Sequence, residues 1–389
     1  MRTQVGIVGA GPAGLMLSHL LHREGIDSVV LEQRSREYVE KRVRAGVLEQ
    51  GTVDLLAATG LGDRLRREGL VHHGIELRFE GKGHRVPLSD LAGGRAITIY
   101  GQQEVVKDLI NARLAAGATL HFDVAAVSIH ELHSAKPELR YSLAGESGRI
   151  ECDLIAGCDG FHGIARNAVP AGVLRTYQRD YPFAWVGVLV EAPPSSDELI
   201  YARHERGFAL HSMRSPTLTR LYVQCDQGDT DAEWPAARIW DELHARLAVP
   251  GWSLAEGSIL EKSITGLKSF VVEPMQFGPL FLAGDAAHIV PATGAKGLNL
   301  AVADVHRLAT AIVEWYRTGS RALLDGYSTA CLERVWQAQA FSSYMTAMLH
   351  RPPPSDDRDG FEGRLQIARL RAVVTSRAAA AALARSYVG

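Results

Sequence analysis

The chain has 389 residues, 46% of them hydrophobic, enough to bury one large core or two closely joined ones. Lys and Arg number 42 against 44 Asp and Glu, a net charge of −2 that argues against nucleic acid or an anionic membrane as partner. The cysteines Cys152, Cys158, Cys225 and Cys331 show no CxxC spacing, so neither a zinc site nor a redox dithiol is expected, and no metal is assigned.

Residues 4–8 read as a short buried strand. The loop Gly9-Ala10-Gly11-Pro12-Ala13-Gly14 follows, then an apolar-periodic helix over 12–23 and a second strand over 28–31 that ends at Glu32. This is a βαβ unit with a GxGxxG turn. Gly9 permits the turn, Gly11 lets a pyrophosphate approach the backbone, and Gly14 lets helix and strand pack closely. The helix N-terminus offers unpaired N–H groups and positive dipole to phosphates, and Glu32 can accept hydrogen bonds from a ribose diol. The opening apolar stretch runs straight into this loop with no cleavage pattern, and no segment approaches the roughly 18 apolar residues of a membrane span. A soluble, cytoplasmic chain is expected.

The bases Arg34, Arg36, Lys41, Arg42 and Arg44 crowd the next segment, as a solvated helix face or as a site for phosphates. Helices are predicted over 49–58 and 104–116, and strands over 75–79, 96–100, 124–130, 140–143 and 152–156. Residues 183–225 alternate as β structure, with turns at Pro193-Pro194 and Ser215-Pro216. Helices follow over 298–315 and 323–348, then a proline-rich break over 351–357. The alanine-rich stretch 377–385 reads as a final helix, because alanine is the best helix former.

Two further strands end in a carboxylate beside a glycine, at Asp159-Gly160 and Gly284-Asp285. Each could bind a sugar or ribityl hydroxyl; ordinary glycine turns are the alternative. Within the β region, Ser212 and Arg214 share a face, as do Arg220 and Tyr222. A loop over 215–219 would set Ser212 opposite Tyr222 and Arg214 opposite Arg220. A guanidinium, a hydroxyl and a phenol on one face could hold a carboxylate; surface polar residues on a strand are the other reading.

Taken together, the GxGxxG, Asp-Gly and Gly-Asp segments resemble the group A flavoprotein aromatic hydroxylases over essentially the whole chain. The resemblance implies an α/β fold with α+β elements: a Rossmann-like FAD-binding domain (1–71, 101–180, 271–350) interleaved with a mixed β-sheet substrate domain (72–100, 181–270), and a C-terminal helical region (351–389). It implies FAD held by Gly9, Gly11, Ala13, Gly14, Glu32, Arg42, Arg44, Val47, Gln102, Asp159, Arg220, Asp285, Gly294, Leu298 and Asn299. NADPH or NADH would meet Gln33, Arg34, Tyr38, Arg42, Arg44, His162 and Lys268, without a separate nicotinamide domain.

Longer stretches (44–51, 158–163, 207–210, 262–264, 269–276 and 284–299) are similar to the branch of that family acting on 4-hydroxybenzoate. This implies O2-dependent hydroxylation at carbon 3 through an FAD C4a-hydroperoxide, giving 3,4-dihydroxybenzoate. Ser212, Arg214 and Tyr222 would bind the carboxylate, and Tyr201 the 4-hydroxyl, with the Ala292 carbonyl nearby. Tyr387 and His72 would carry the phenolic proton outward. Arg220 would help set the flavin's position, and a homodimer is the family expectation. Ala292 replaces a usual proline, Lys268 replaces an arginine, and the order of residues 33–38 differs, so the nicotinamide donor stays open. The same chemistry on another hydroxybenzoate or phenol, or a non-catalytic FAD-fold binding protein, are the alternatives; a flavin disulfide reductase would need the missing dithiol.

Overall fold

A computed structural model describes residues 1–43, 46–134, 136–353, 357 and 360–389. In chain order it contains β1 (Val5–Val8), α1 (Pro12–Arg23), β2 (Ser28–Leu31), β3 (Ile75–Phe79), β4 (Lys82–Val86), α2 (Gln102–Ala115), β5 (Thr119–His121) and β6 (Leu154–Gly157). There follow β7 (Arg175–Glu191), β8 (Leu199–His204), β9 (Gly207–Ser215), β10 (Leu218–Asp226), α3 (Ala236–Leu247) and β11 (Ser258–Glu273). The chain closes with β12 (Gln276–Phe277), β13 (Leu280–Leu282), β14 (His288–Ile289), α4 (Gly297–Thr318), α5 (Tyr327–Leu349), α6 (Phe361–Thr375) and α7 (Arg377–Val388).

The first sheet has the order β12-β13-β6-β1-β2-β5, parallel except for the β12–β13 pair. Its strands are apolar without alternation because both faces are covered, by α1 and α4 among others. The predicted turn is required sterically. Gly9 sits at φ 102°, and a Cβ there would lie 2.4 Å from the Cys158 carbonyl oxygen; one on Gly14 would lie 2.0 Å from the Gly9 oxygen.

The second sheet has the order β14-β11-β7-β10-β9-β8-β3-β4. Its residues alternate between two cores. Val186, Val188, Ala202, Leu221 and Val223 pack on α3. Trp185, Tyr201, Phe208 and Leu210 on the opposite face pack with Met345 and Leu349 of α5 and Tyr387 of α7. The alanine-rich tail does form a helix, capped by the Ser376 side chain.

Several elements have no counterpart in the sequence pattern, among them β4, β5, α3, β11 and α6. β11 alternates exposed and half-buried residues through its first half, so its hydrophobic pattern is weak. α6 follows directly on the proline-rich break. The helix expected over 323–348 is instead interrupted at Gly326, with one turn over Ala322–Asp325 before it.

Candidate active site

α1 and α4 both present N-termini without a side-chain cap hydrogen bond, α1 behind Gly11 and α4 starting at Gly297 after Lys296. A Cβ on either glycine would meet no heavy atom within 4 Å. Such open, uncapped N-termini fit a pyrophosphate. Glu32, at the tip of β2, is fixed by accepting the Ala10 N–H at 2.8 Å and the Arg34 N–H at 2.7 Å. Asp159 accepts the Ala165 N–H at 2.8 Å through Oδ2, while its buried Oδ1 has no partner among the described residues. Burial raises its carboxyl pKa, against the pull of that N–H. Asp285 is exposed between buried Gly284 and Ala286. Its turn is held from behind by Asp304, which accepts the Gly284 N–H at 3.0 Å and meets His288 Nε2 at 2.6 Å. Burial opposes a charge on His288, but Asp304 outweighs it and raises the imidazole. These groups fit the phosphates and polyol of FAD.

Asn299 accepts from the Glu49 N–H and the Thr52 hydroxyl, both at 2.9 Å, and donates to Val47 O at 3.0 Å. It braces the Val47 strand against α4. Lys296 Nζ donates to Glu49 Oε1 and, at 2.9 Å, to the Tyr387 carbonyl; Arg334 also pairs with Glu49. Burial lowers the Lys296 ammonium, with Glu49 opposing. Arg44 lies outside the described residues.

On the second sheet, register sets Tyr201, Leu210, Tyr222, Gly187 and Ser263 side by side. Ser212, Arg220, Leu189 and Glu261 form the next row of the same face. Two strand spacings, about 10 Å, separate the Cα atoms of Tyr201 and Tyr222. This corrects the expected hairpin. The turn is Pro216-Thr217, and a bulge between Met213 and Ser215 leaves Arg214 without a cross-strand partner. Ser212 therefore faces Arg220, not Tyr222. The shift is by two residues, so the expected face survives.

Arg214 Nη1 donates to Ser212 Oγ at 2.8 Å and Met213 O at 2.9 Å, and its Nε is buried without a partner. Burial lowers its pKa; the charged or polar groups acting on it are Tyr222 and Arg220, with no acid among them. Arg220 lies 3.4 Å from Glu261 Oε2 and 3.4 Å from Ser263 Oγ, and stands 5.3 Å over the Tyr222 ring. Burial raises the Tyr222 phenol, yet Arg214 and Arg220 outweigh it and hold it below its ordinary value. Gly187 makes room for that ring: a Cβ there would lie 2.9 Å from Tyr222 Cδ1. The sheet face thus carries two neighbouring cations; Glu261 lies 3.4 Å from Arg220, while no acid acts on Arg214.

At the other end, the Tyr201 and Tyr387 hydroxyls share a short hydrogen bond, and burial pushes both phenols up. His72, at the end of the strand Leu70–His72, is 1% exposed and neither ring nitrogen has a partner among the described residues. Burial lowers it to about 4, with Glu198 and Asp197 opposing. The expected solvent end of the relay is therefore buried. Ala292 is exposed in an otherwise buried loop, which α5 braces: Thr346 and Thr293 hydroxyls are 3.0 Å apart, and a Cβ on Gly294 would lie 2.3 Å from Ser342 Oγ. Sequence reasoning missed this helix face. Its signal is the i, i+4 spacing of Ser342, Thr346 and His350.

The residues expected at the nicotinamide lie in two groups. Gln33, Arg34, Tyr38 and Arg42 are exposed, with Arg34 and Arg42 5.3 and 5.9 Å from the Tyr38 ring centre. Arg36 and Lys41 are instead paired with Glu40 and Glu37 on their own helix. Lys268 stands 4.5 Å over Phe161, beside exposed His162. Gln102 begins α2, next to Gly101.

A family profile described as "FAD binding domain" matches residues 2–342. The chain is 48% identical over 390 aligned residues to a p-hydroxybenzoate hydroxylase of Acinetobacter baylyi, covering 100% of this chain and 96% of that protein. It is 26% identical to a 3-(3-hydroxy-phenyl)propionate/3-hydroxycinnamic acid hydroxylase of Mycobacterium sp. (strain KMS), over 92% of this chain and 61% of that one. The fold is similar to the crystal structure of a p-nitrophenol 4-monooxygenase from Pseudomonas putida DLL-E4, with a TM-score of 0.83 at 19% identity, covering 100% of this chain and 99% of that one. The full-length match, together with the FAD-binding loops and the cationic sheet face, shows that the chain belongs to the FAD-dependent group A aromatic hydroxylases.

Proposed function

We propose that this enzyme hydroxylates 4-hydroxybenzoate at carbon 3 to 3,4-dihydroxybenzoate, using O2 and NADPH or NADH. The observation that carries the reading is Arg214: a guanidinium with a buried, unpartnered Nε and no acidic counter-ion acting on it, on the sheet face that also bears Tyr201. A carboxylate supplies the missing anion and can bind the guanidinium fork, with Ser212 Oγ and the Tyr222 hydroxyl as further partners. A hydroxyl para to that carboxylate points along the row toward Tyr201. The 48% identity to a p-hydroxybenzoate hydroxylase supports the same substrate.

When bound, FAD supplies the electron transfer from the nicotinamide and the delivery of one oxygen atom from O2. The chain's residues supply the rest. Tyr201 receives the substrate hydroxyl in a hydrogen bond and passes its proton toward Tyr387, since a phenol both donates and accepts. Loss of that proton enriches the ring carbon ortho to the oxygen, which is the carbon that must attack an electrophilic oxygen. The buried aromatic face around Tyr201, Phe208 and Leu210 excludes water. A cytoplasmic homodimer completes the reading: the cysteines Cys152, Cys158, Cys225 and Cys331 are free and buried, as in a reducing compartment, and the dimer rests on family resemblance.

The test is NADPH or NADH oxidation by the FAD-loaded enzyme with and without 4-hydroxybenzoate, with chromatography of the products. Accelerated oxidation with 3,4-dihydroxybenzoate is expected. Oxidation yielding only H2O2, or preference for 3-hydroxybenzoate, would overturn the assignment.

A further inference from the structure

We propose that His350, just past the end of α5, is a positioning residue for the aromatic site: held as a neutral imidazole, it sets the planes of Trp185 and Phe208, and through them Tyr222 and Tyr201. The assignment of Tyr222 and Tyr201 to the two ends of the substrate rests on the function proposed above.

The hydrogen bonds fix the tautomer. His350 Nδ1 lies 3.1 Å from the Thr346 carbonyl, which can only accept, so Nδ1 carries the proton. Nε2 is then an acceptor, and the Trp185 indole N–H donates to it at 2.6 Å. The indole and imidazole planes are parallel to within 5°, which an in-plane bond between them requires. An imidazolium would turn a second N–H against the indole N–H, so the charged form does not fit. Burial of the ring, which is 2% exposed, favours the same state and holds it down to about 3.

The imidazole faces are equally occupied. Phe183 stacks at 4.6 Å and 9°, and Phe208 at 4.5 Å and 28°. Trp185 contacts the Tyr222 ring at 5.1 Å, and Phe208 contacts Tyr201 at 6.2 Å. One ring thus braces the walls at the acid-binding end and at the phenol end. Its own backbone is held in turn: Gln366 Nε2 of α6 donates to the His350 carbonyl at 2.5 Å. A residue that merely filled the core could be phenylalanine, like its neighbours. The acceptor aimed at Trp185 is what phenylalanine lacks.

The experiment compares His350→Phe, His350→Gln, Trp185→Phe and the His350→Phe/Trp185→Phe double variant as FAD-loaded enzymes. His350→Phe keeps the ring and removes the acceptor; His350→Gln restores an oxygen acceptor. Two signals are read: the 15N indole resonance of Trp185, identified by its absence in Trp185→Phe, and the Kd for 4-hydroxybenzoate from flavin absorbance. The resonance should move in His350→Phe and return toward its wild-type position in His350→Gln. The Kd should rise about tenfold in His350→Phe, as expected for a buried donor left unpaired, and recover in His350→Gln. The double variant should be no weaker than Trp185→Phe. An unmoved indole resonance, an unchanged Kd in His350→Phe, or losses that multiply in the double variant would each overturn the proposal. Should wild-type enzyme fail to bind 4-hydroxybenzoate, the functional reading fails, and the indole resonance still decides whether His350 holds Trp185.

Discussion

Replacing Arg214 with lysine tests the carboxylate assignment most directly. Lysine keeps the positive charge and loses the planar fork. In the wild-type chain Nη1 is engaged by Ser212 Oγ at 2.8 Å and Met213 O at 2.9 Å, while the unpartnered Nε belongs to the edge free to meet a ligand. A lysine ammonium can replace one of two charge-assisted bonds. The loss of the other costs about 1.5–3 kcal/mol, or roughly 10- to 150-fold in Kd. Arg214→Gln removes the charge as well and leaves the carboxylate without its guanidinium partner, which costs about 2–5 kcal/mol. The assay is titration of flavin absorbance with 4-hydroxybenzoate and, in parallel, with 4-hydroxybenzamide, which has no negative charge. Wild type should prefer the acid, and the preference should shrink in Arg214→Lys and vanish in Arg214→Gln. Equal weakening toward both ligands would mean that Arg214 shapes the pocket without binding the carboxylate, and the reasoning would fail.

Gly187→Ala puts a methyl 2.9 Å from the Tyr222 ring, so Tyr222 must move; overpacking of this kind costs about 1–3 kcal/mol, to be read as a weaker substrate Kd with FAD content retained. Gly11→Ala meets no atom within 4 Å, so the thermal midpoint of apoprotein should stay unchanged while FAD affinity falls; Gly9→Ala, strained at φ 102° and 2.4 Å from a carbonyl, should lower the apoprotein's midpoint as well. The raised His288 pKa has a definite sign: its stabilisation is fully present below the ordinary value of 6.5 and fades as pH rises through the higher native value. Apoprotein midpoint temperatures measured across that range should therefore decline, and the decline should be lost in Asp304→Asn.

The FAD half of the fold is written locally. Gly14 is forced by the Gly9 carbonyl within a single βαβ unit, and Gly9 by its own φ of 102° as well as by the distant Cys158 carbonyl, so the spacing of three glycines and one acid suffices to predict the turn. The substrate half depends on pairings distant in sequence. Ser212, Arg214, Arg220 and Tyr222 are visible as same-face residues, but their opposition is decided by a bulge at Arg214 that no periodicity announces. β11 escapes detection because half of it is an amphipathic edge with weak alternation, and its partner β7 lies far upstream. Single residues at helical spacing are harder still. Ser342, Thr346 and His350 look like ordinary polar positions until the sheet is set against α5. Buried Glu49 and Lys296, with half-buried Arg334, join β-structure, α4 and α5, so their charges balance only in three dimensions.

The two ends of the substrate row differ in a way that decides where its proton goes. Near the cations Arg214 and Arg220, the Tyr222 phenol is held below its ordinary value; away from them, burial raises both Tyr201 and Tyr387. Tyr201 therefore remains a phenol at working pH and cannot serve as the base. It hands its own hydrogen to Tyr387 through their shared bond while taking the substrate's, and the proton it has taken then stabilises the substrate phenolate as a hydrogen bond. His72, lowered to about 4 by burial, is neutral at working pH and free to accept. The substrate's own acidity in the site thus depends on the Tyr201 hydroxyl. Tyr201→Phe should raise the pH at which bound 4-hydroxybenzoate ionises, seen as a shift in its ultraviolet absorbance titration. Flavin reduction by the nicotinamide should persist while hydroxylated product per nicotinamide falls by about 10²-fold, the low end for a positioned proton acceptor. An unchanged ionisation midpoint, with full coupling retained, would remove Tyr201 from the proton path.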